Sequence, residues 1–393
     1  MRDLGINAVV QHKEKALRKR RFFIMDKVRL VVNGQSYLGW EKVDLMIGLE
    51  SFSRTFSLSL TPNNRNADEF NQIGAGTTVE VFIGHDRLIT GYVSKIKHTY
   101  SATSSSLDIA GSGRCGDLTE CTSPVEAPKQ FKNSSISEIV STICAPYAIK
   151  VIDEVGRQGK VDFNYSPEDR LSKVLEDFVK KYQMIFSEDG NGNLHITRVG
   201  AGERQQDLEF GKNVLSLTRT QLASELFSEY VLIGQGTNSS SSREEDSHKL
   251  RESARLDWRY RVKVIAERGN ATREKLKARA IALRDNKAAS VTTYEISVQG
   301  WRQEDGRLWM INSPVVLVMP HEGIRYVMLI TQVEFHLGLD GMTTKMTLKD
   351  PDAYIDVNCS HLQDISNSDS KKKEKQINLA SIKSKVGGEW TLK

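Results

Sequence analysis

Residues 292–354 read TTYEISVQGW (292–301), EDGR (304–307), LWMINSPVVLVMP (308–320), HEG (321–323), IRYVMLITQVEF (324–335), LGLDG (337–341) and MTTKMTLKDPDAY (342–354), with two residues left between the first two pieces and His336 before the last turn. Runs of β-branched and aromatic residues alternate with short turns rich in Gly, Asp and Glu. This pattern predicts a meander of four antiparallel strands. The stretch holds no recognisable catalytic constellation and points to a protein that works by shape and assembly.

Upstream, Val28 to Val32 is followed by Asn33-Gly34, a strong type I′ hairpin signal. Phe52, Phe56, Leu58 and Leu60 fall in one alternation phase, so one strand face is expected to be buried and the other is Ser-rich. TVEVFIGHDRLITGYVSKIKHTY (78–100) predicts a second hairpin turning near His85-Asp86, and Leu107 to Ala110 a further strand. Four to six strands with short turns suggest a small barrel or sandwich. Residues 111–200 differ. Ser135-Ile-Ser-Glu138 is a capping box ahead of the helical face Ile136, Ile139, Val140 and Ile143. Ser166-Pro167-Glu168 predicts a second helix start, with Ser166 as cap and Leu171, Val174, Leu175, Phe178 and Val179 as its apolar face. MIFSEDGNGNLHITRV (184–199) predicts a hairpin, which makes this segment a compact α+β module. VLSLTRT, SEYVLIGQG and WRYRVKVIAER (Trp258 onward) read as strands. The polar stretch 237–253 reads as an exposed loop, and residues from about Thr272 to Ala288 as a helix with Leu276, Ala280 and Leu283 on one side.

The 393 residues have ordinary hydrophobic and charged fractions, 39% and 27%, and only eight prolines, which argues against a disordered chain. No run approaches the roughly 18 apolar residues of a membrane span. The net charge of +5 resides in residues 1–24, where seven basic residues face two acidic ones; the rest has 48 of each. A nucleic-acid binder should concentrate basic charge on its folded body, so the basic balance does not indicate one. The leader lacks the apolar core of a secretory signal. Two readings stand: translation starts at Met25, with Arg20-Arg21 encoded as a ribosome-binding sequence, or residues 1–24 form a basic arm.

Candidate chemistry is sparse. Gly111-Ser-Gly113-Arg-Cys-Gly116 matches G-x-G-x-x-G after a strand, but Pro124 leaves room for only two helical turns and no βαβ unit follows, so the reading is a glycine-rich turn rather than a dinucleotide site. His321-Glu322 lacks the second His of a metalloprotease helix. Asp207 with Glu209, and Asp350 with Asp352, could be drawn as paired carboxylates, yet alternate residues on an exposed strand or turn are expected to be solvated. Trp258 to Lys263 interleaves aromatic and basic residues as a single-strand binder does, but a strand with one wet face gives the same pattern. Cys115, Cys121, Cys144 and Cys359 have no zinc spacing and read as reduced thiols. No catalytic, cofactor-binding or metal-binding residue is assigned, no cofactor is expected, and interface and channel residues stay unassigned.

The order of features carries a resemblance. LDIAGSGRCGDLTECTSP (107–124), S-I-S-E-I-V with Y-A-I-K-V, D-F-N-Y-S-P-E-D with L-E-D-F, Tyr230-Val-Leu-Ile-Gly-Gln235, Arg259-Tyr-Arg261, and V-Q-G-W with G-R-L-W-M-I-N together resemble the baseplate hub proteins of Mu-like contractile phage tails. These are related to the late-control and VgrG-type spike hub proteins. The resemblance covers about Met25 to Tyr354. It implies a mainly β, multidomain chain with an α+β module and two small tail-tube-like β-barrels, with room for discontinuous domains. The implied boundaries are a leader at 1–24, a first β-barrel domain at 25–110, an α+β module at 111–204, a second β-barrel domain at 205–355 with an inserted helix at 272–288, and a polar tail at 356–393. It further implies a non-enzymatic homotrimer of the virion baseplate, assembled in the host cytoplasm, that adapts the sixfold tail tube to the threefold spike. Its partners would be the spike, the tail tube and baseplate wedge proteins, and DNA would pass its channel during ejection without specific binding. The alternatives are a hub component of a type VI-like secretion spike and a hub-associated cell-wall hydrolase. Lys371, Lys372, Lys373 and Trp390 mark the tail as either a docking segment or a solvated linker.

Overall fold

A computed structural model describes residues 26–61, 70, 73–101, 103, 105–235, 249–270 and 273–354. The leader with Met25, residues 236–248 of the polar stretch, Cys359 and the tail from 355 onward lie outside them. The chain divides into two compact units, residues 1–218 with 295–348, and residues 219–294 with 349–393.

Most of the first unit is built on one 13-stranded sheet. Its strands are β1 (Val28–Val32), β2 (Gln35–Tyr37), β3 (Lys42–Gly48), β4 (Thr55–Leu60), β5 (Thr78–Ile83), β6 (Asp86–Tyr100), β7 (Ser105–Gly113), β13 (Leu208–Glu209), β14 (Val214–Gln221), β18 (Thr292–Gln299), β19 (Ser313–Met319), β20 (Ile324–Gly338) and β21 (Gly341–Lys349). The hydrogen-bonded order is β14-β18-β21-β20-β3-β4-β7-β6-β5-β1-β2, with β19 on β20 and β13 on β19. Alternation decides the faces: β1, β3 and β4 bury every second residue, as a one-sided sheet requires. The β1–β2 turn has Asn33 at φ 50° and Gly34 at φ 82°, the left-handed pair that a type I′ turn demands. No sheet among the described residues closes on itself within the chain.

This sheet contains the same path twice. In the first copy the order is β3-β4-β7-β6-β5-β1, and in the second it is β14-β18-β21-β20-β19-β13. Both copies follow chain order in the same way. The long strands β6 and β20 have 15 residues each, their hairpin partners β7 and β21 have nine each, and the runs Leu88–Val93 and Met328–Val333 share one burial pattern, four buried, one half-buried, one buried. After β7 comes the short helix α1 (Gly116–Glu120), and after β21 a 3₁₀ turn at Pro351–Ala353, each beginning at the third residue past the strand's last buried position. One difference is that β1 pairs β5 antiparallel whereas β13 pairs β19 parallel. The copies join where β20 lies on β3, with Gln332 opposite Gly48 and Leu337 opposite Val43. Val333, Phe335, Val43, Leu45 and Ile47 of that junction are all buried.

The α+β module lies between the copies in sequence. It contains β8 (Gln130–Ser134), α2 (Ile136–Cys144), β9 (Val151–Asp153), β10 (Val161–Asn164), α3 (Leu171–Lys180), β11 (Ile185–Glu188) and β12 (Leu194–Thr197). The capping box is present: Ser135 Oγ accepts from Glu138 N and Glu138 Oε2 accepts from Ser135 N. The apolar faces of α2 and α3 meet in one core with Met184, Phe186, Leu194 and Ile196. The second helix starts later than its Ser-Pro-Glu signal predicts. Ser166 to Asp169 forms a turn, with Asp169 N donating to Ser166 O. Arg170 is held extended by a bridge to Thr122, so the helix begins at Leu171 without a side-chain cap.

In the second unit β15 (Glu229–Gln235) pairs antiparallel with β16 (Lys249–Arg255) and parallel with β17 (Val262–Asn270). Helix α4 (Arg273–Ala289) packs on this sheet through Leu276 and Ala280, which meet Leu232 and Ala254. Three expectations are corrected. Residues 249–253, the end of the stretch expected to be a loop, are strand: they open β16, and β15 pairs along them from Val231 to Gln235. The strand read from Trp258 begins only at Val262, because Trp258 to Arg261 bends around the Arg261 guanidinium. The final meander also breaks after β18. Residues 300–312 form a loop whose Trp301 and Trp309 are buried, and β18 pairs β21 instead of β19. Burying two indoles in that loop leaves Leu308 to Ile311 out of the ladder.

Candidate functional site

Two features of the first unit could carry function: the glycine turn after β7, and the open edges of the repeated sheet. The turn is filled from inside the protein. Glu188, the last residue of β11, places its carboxylate there and is buried. Its Oε2 accepts from Arg54 N at 2.8 Å and Ser53 Oγ at 3.0 Å, and its Oε1 accepts from Cys115 N at 2.9 Å. Arg54 is buried alongside and donates through Nε to Glu188 O (2.8 Å) and through Nη1 to Leu88 O (2.7 Å). A Cβ on Gly113 would stand 2.2 Å from Glu188 Oε2, and one on Gly111 would stand 2.1 Å from Tyr92 O. The glycines therefore admit a carboxylate and a neighbouring strand at close range. The Glu188 carboxylate thus occupies the space inside the turn.

Burial pushes the Glu188 carboxyl above its ordinary range, against the N–H groups of Arg54 and Cys115, the Arg54 charge and the Ser53 hydroxyl, which pull it down. Burial likewise lowers Arg54, although Glu188 and Asp189 act to raise it. Two costly buried charges thus hold the module onto the first sheet copy. The adjoining turn adds Thr90 Oγ1 donating to Gly190 O at 2.7 Å. Burial raises the thiols of Cys115 and, up to about 12, Cys144, which keeps both as inert protonated thiols.

The other sequence candidates are distributed without convergence. His321 and Glu322 lie in the turn between β19 and β20, with His321 edge-on to Phe210. Asp207 pairs with Arg204 at 3.0 Å, and Glu209 with Lys212 at 3.4 Å. Asp350 departs from the solvated expectation. It is half-buried, caps the 3₁₀ turn by accepting from Asp352 N at 2.9 Å, and is pushed up to about 6 by burial. The aromatic–basic stretch is occupied by itself: Arg261 stacks over Phe227 and Trp258 and donates to Ala223 O and Ser224 O. No group of three or more possible metal ligands occurs among the described residues, and no helix among them is long and apolar enough to cross a membrane.

Arg302 was not legible as special in the sequence. From the loop after β18 it reaches Asp26 Oδ1 (2.6 Å), Asp86 Oδ2 (2.7 Å) and Ile83 O (3.2 Å), tying the second sheet copy to the first. What the site region offers is therefore anchoring, and two unfinished strand edges. β14 pairs β18 on one side, and from Leu215 to Thr218 no strand lies on its other side among the described residues. Beyond Val93, β6 pairs only β7, and its residues there are exposed apart from half-buried Ile96.

Three family models match successive segments. Residues 27–114 match the Mu phage baseplate assembly protein GpP-like N-terminal domain. Residues 115–198 match the second domain of the gp44-like baseplate hub protein, and residues 272–356 match the fourth domain of the Mu baseplate assembly protein GpP. The chain belongs to the Mu-like baseplate hub family. It is 25% identical over 340 residues to the baseplate hub protein gp44 of Escherichia phage Mu, a match spanning 84% of this chain and 89% of that protein. The 43 kDa tail protein of prophage MuSo2 from Shewanella oneidensis is 25% identical, superposes with a TM-score of 0.73, and is covered over 99% of its length by 84% of this chain. The tail protein of Neisseria meningitidis MC58, 20% identical with a TM-score of 0.71, shares the fold over 83% of this chain and 98% of its own. In this hub chain the glycine turn falls at the seam between the first two matched segments.

Proposed function

We propose that this hub protein is a structural, non-enzymatic homotrimer at the centre of the baseplate of a contractile tail. Three chains supply six similar sheet copies, which match a sixfold tail tube on one side and a threefold spike on the other. The observation that carries this reading is the repeated strand path joined within the chain by β3 and β20. One polypeptide with two quasi-equivalent copies converts threefold into sixfold symmetry without a second gene product. In this reading the segments 25–110 and 205–355 are the two barrel-forming regions, and their sheets close only in the assembly. The module at 111–204 buttresses the first, and the matched segments 27–114 and 115–198 support that division.

The trimer encloses a channel through which DNA leaves, so inward faces carry no dense positive charge that would retard phosphate. Partners are the tail tube, the spike and the baseplate wedge proteins, and assembly in the host cytoplasm precedes incorporation into the virion. Native mass spectrometry of the purified chain at micromolar concentration tests the reading. A trimer is expected; a strictly monomeric chain would overturn it.

A further inference from the structure

The two sheet copies are alike, yet among the described residues only one of their long strands is fully flanked. In the second copy, the outer half of β20 is covered by β3 of the first. In the first copy, the corresponding half of β6 has no strand on its outer side among the described residues. The strand that corresponds to β3 is β14, and from Leu215 to Thr218 its outer side also has no strand among the described residues. Each chain thus carries both halves of a junction that it makes once internally.

The correspondence can be read residue by residue. The shared burial run sets Val93 beside Val333, and the bulge in β6 at Ser94 then sets Ile96 beside Phe335. On the facing strands, Leu45 lies opposite Phe56 of β4. Its counterpart follows from two contacts: Leu222 N donates to Val291 O, and Gly300 N to Met342 O. Counting inward from these places Leu217 at the position of Leu45 and Leu215 at that of Val43. Leu215 is 56% exposed, whereas Val43 is fully buried at its junction.

We propose that β14 of one chain adds antiparallel to the outer edge of β6 of the next, repeating the β3–β20 junction, with Ile96 opposite Leu217, Lys97 opposite Ser216 and His98 opposite Leu215. The occupant of each edge is a second copy of this chain. The contact is head-to-tail, so it either closes into a ring or grows without end. A ring closes at three chains when internal and external junctions alike turn the sheet by about one sixth of a full circle. Main-chain hydrogen bonds supply the affinity, and Leu215 and Leu217 supply the buried face, as in other strand additions. This inference rests on the trimer reading and specifies which edges make it.

The test is a cysteine pair on the solvent-facing phase, Lys97→Cys with Ser216→Cys, in the full chain. Directly opposed strand residues fall within disulfide reach, and residues four positions apart do not. Under mild oxidation the denatured, non-reduced chain is expected to shift to three times its mass, while each single variant and the displaced pair Lys97→Cys with Thr220→Cys stay at the mass of one chain. Circular dichroism equal to the parent's checks that the variants fold. A trimer by native mass whose Lys97–Ser216 pair fails to cross-link would overturn this interface and leave the hub reading standing. A monomer by native mass would overturn both. Cross-linked species growing beyond three chains would overturn ring closure.

Discussion

Replacing Glu188 by Gln is the sharpest test of how the module is held. The change keeps size and shape and removes one charge. In the parent, both carboxylate oxygens accept backbone N–H bonds, Oε2 from Arg54 and Oε1 from Cys115. An amide has only one acceptor oxygen. Whichever way it turns, its NH2 group faces one of those N–H donors, and that buried donor loses its partner. An orphaned buried donor costs about 1–3 kcal/mol. The Arg54 guanidinium, which bonds Glu188 O and Leu88 O rather than the carboxylate, also loses a nearby negative charge while still buried, which brings the cost to about 3–4 kcal/mol in all. That is a large share of the roughly 5–15 kcal/mol by which a domain is stable. Hydrogen exchange followed by mass spectrometry on peptides covering 52–56, 112–120 and 184–197 reads the effect directly. Exchange at these sites should accelerate by about two to three orders of magnitude, since each 1.4 kcal/mol is tenfold. The strands β15 to β17 of the other unit should be unchanged. If Glu188→Gln exchanges within a factor of three of the parent, the carboxylate is not the anchor and the argument fails.

Three further outcomes follow from the same physics. Gly113→Ala drives a methyl to 2.2 Å from Glu188 Oε2 and should destabilise by a similar amount, about 3 kcal/mol or more, whereas Gly34→Ala, with open space around it, should cost only the left-handed backbone penalty of about 1 kcal/mol; paired urea titrations compare them. Asp350 is raised from 3.8 to about 6, so the folded state binds its proton more tightly than the unfolded chain; its contribution is full below about pH 4 and is lost as pH rises through 6, up to about 3 kcal/mol, so Asp350→Asn should stabilise the second unit at pH 7.5 and flatten its stability between pH 4 and 7. Arg302→Ala leaves the half-buried Asp26 without its partner and should lower stability by about 3 kcal/mol, while Arg307→Ala, on an exposed pair, should leave thermal unfolding unchanged.

Much of the local structure was legible in the chain. The Asn33-Gly34 turn, the Ser135–Glu138 capping box, the faces of α2 and α3 and the longer strands of the repeated sheet follow from periodicity and turn chemistry, because those signals act over a few residues, whereas the short strands β8, β9, β10 and β13 and the polar β16 carry no such signal. The errors have local causes too. Ser166-Pro167-Glu168 fits a turn as well as a helix start, and the bridge to Thr122 decided between them. Leu308 to Ile311 reads as strand, but the burial of Trp301 and Trp309 took it into a loop. The Glu188 anchor left a faint mark. Arg54, just before β4, falls on the apolar phase of Phe52 and Phe56, and Glu188 of β11 on that of Phe186, so each segment places a charge where the core belongs. Neither segment names the other.

By itself the sequence determined which residues face inward on each strand, where most turns fall, and, through the order of its short signatures, the family. The tertiary structure alone decided which strands are neighbours. Side-chain alternation has a period of two and assigns a face, but it carries no address for a partner strand. Lys42–Gly48 and Ile324–Gly338 therefore meet across most of the chain's length because their edges and buried faces fit. That meeting turned an apparent meander into the second copy of a repeated sheet, and left the outer edges of β6 and β14 without a strand among the described residues.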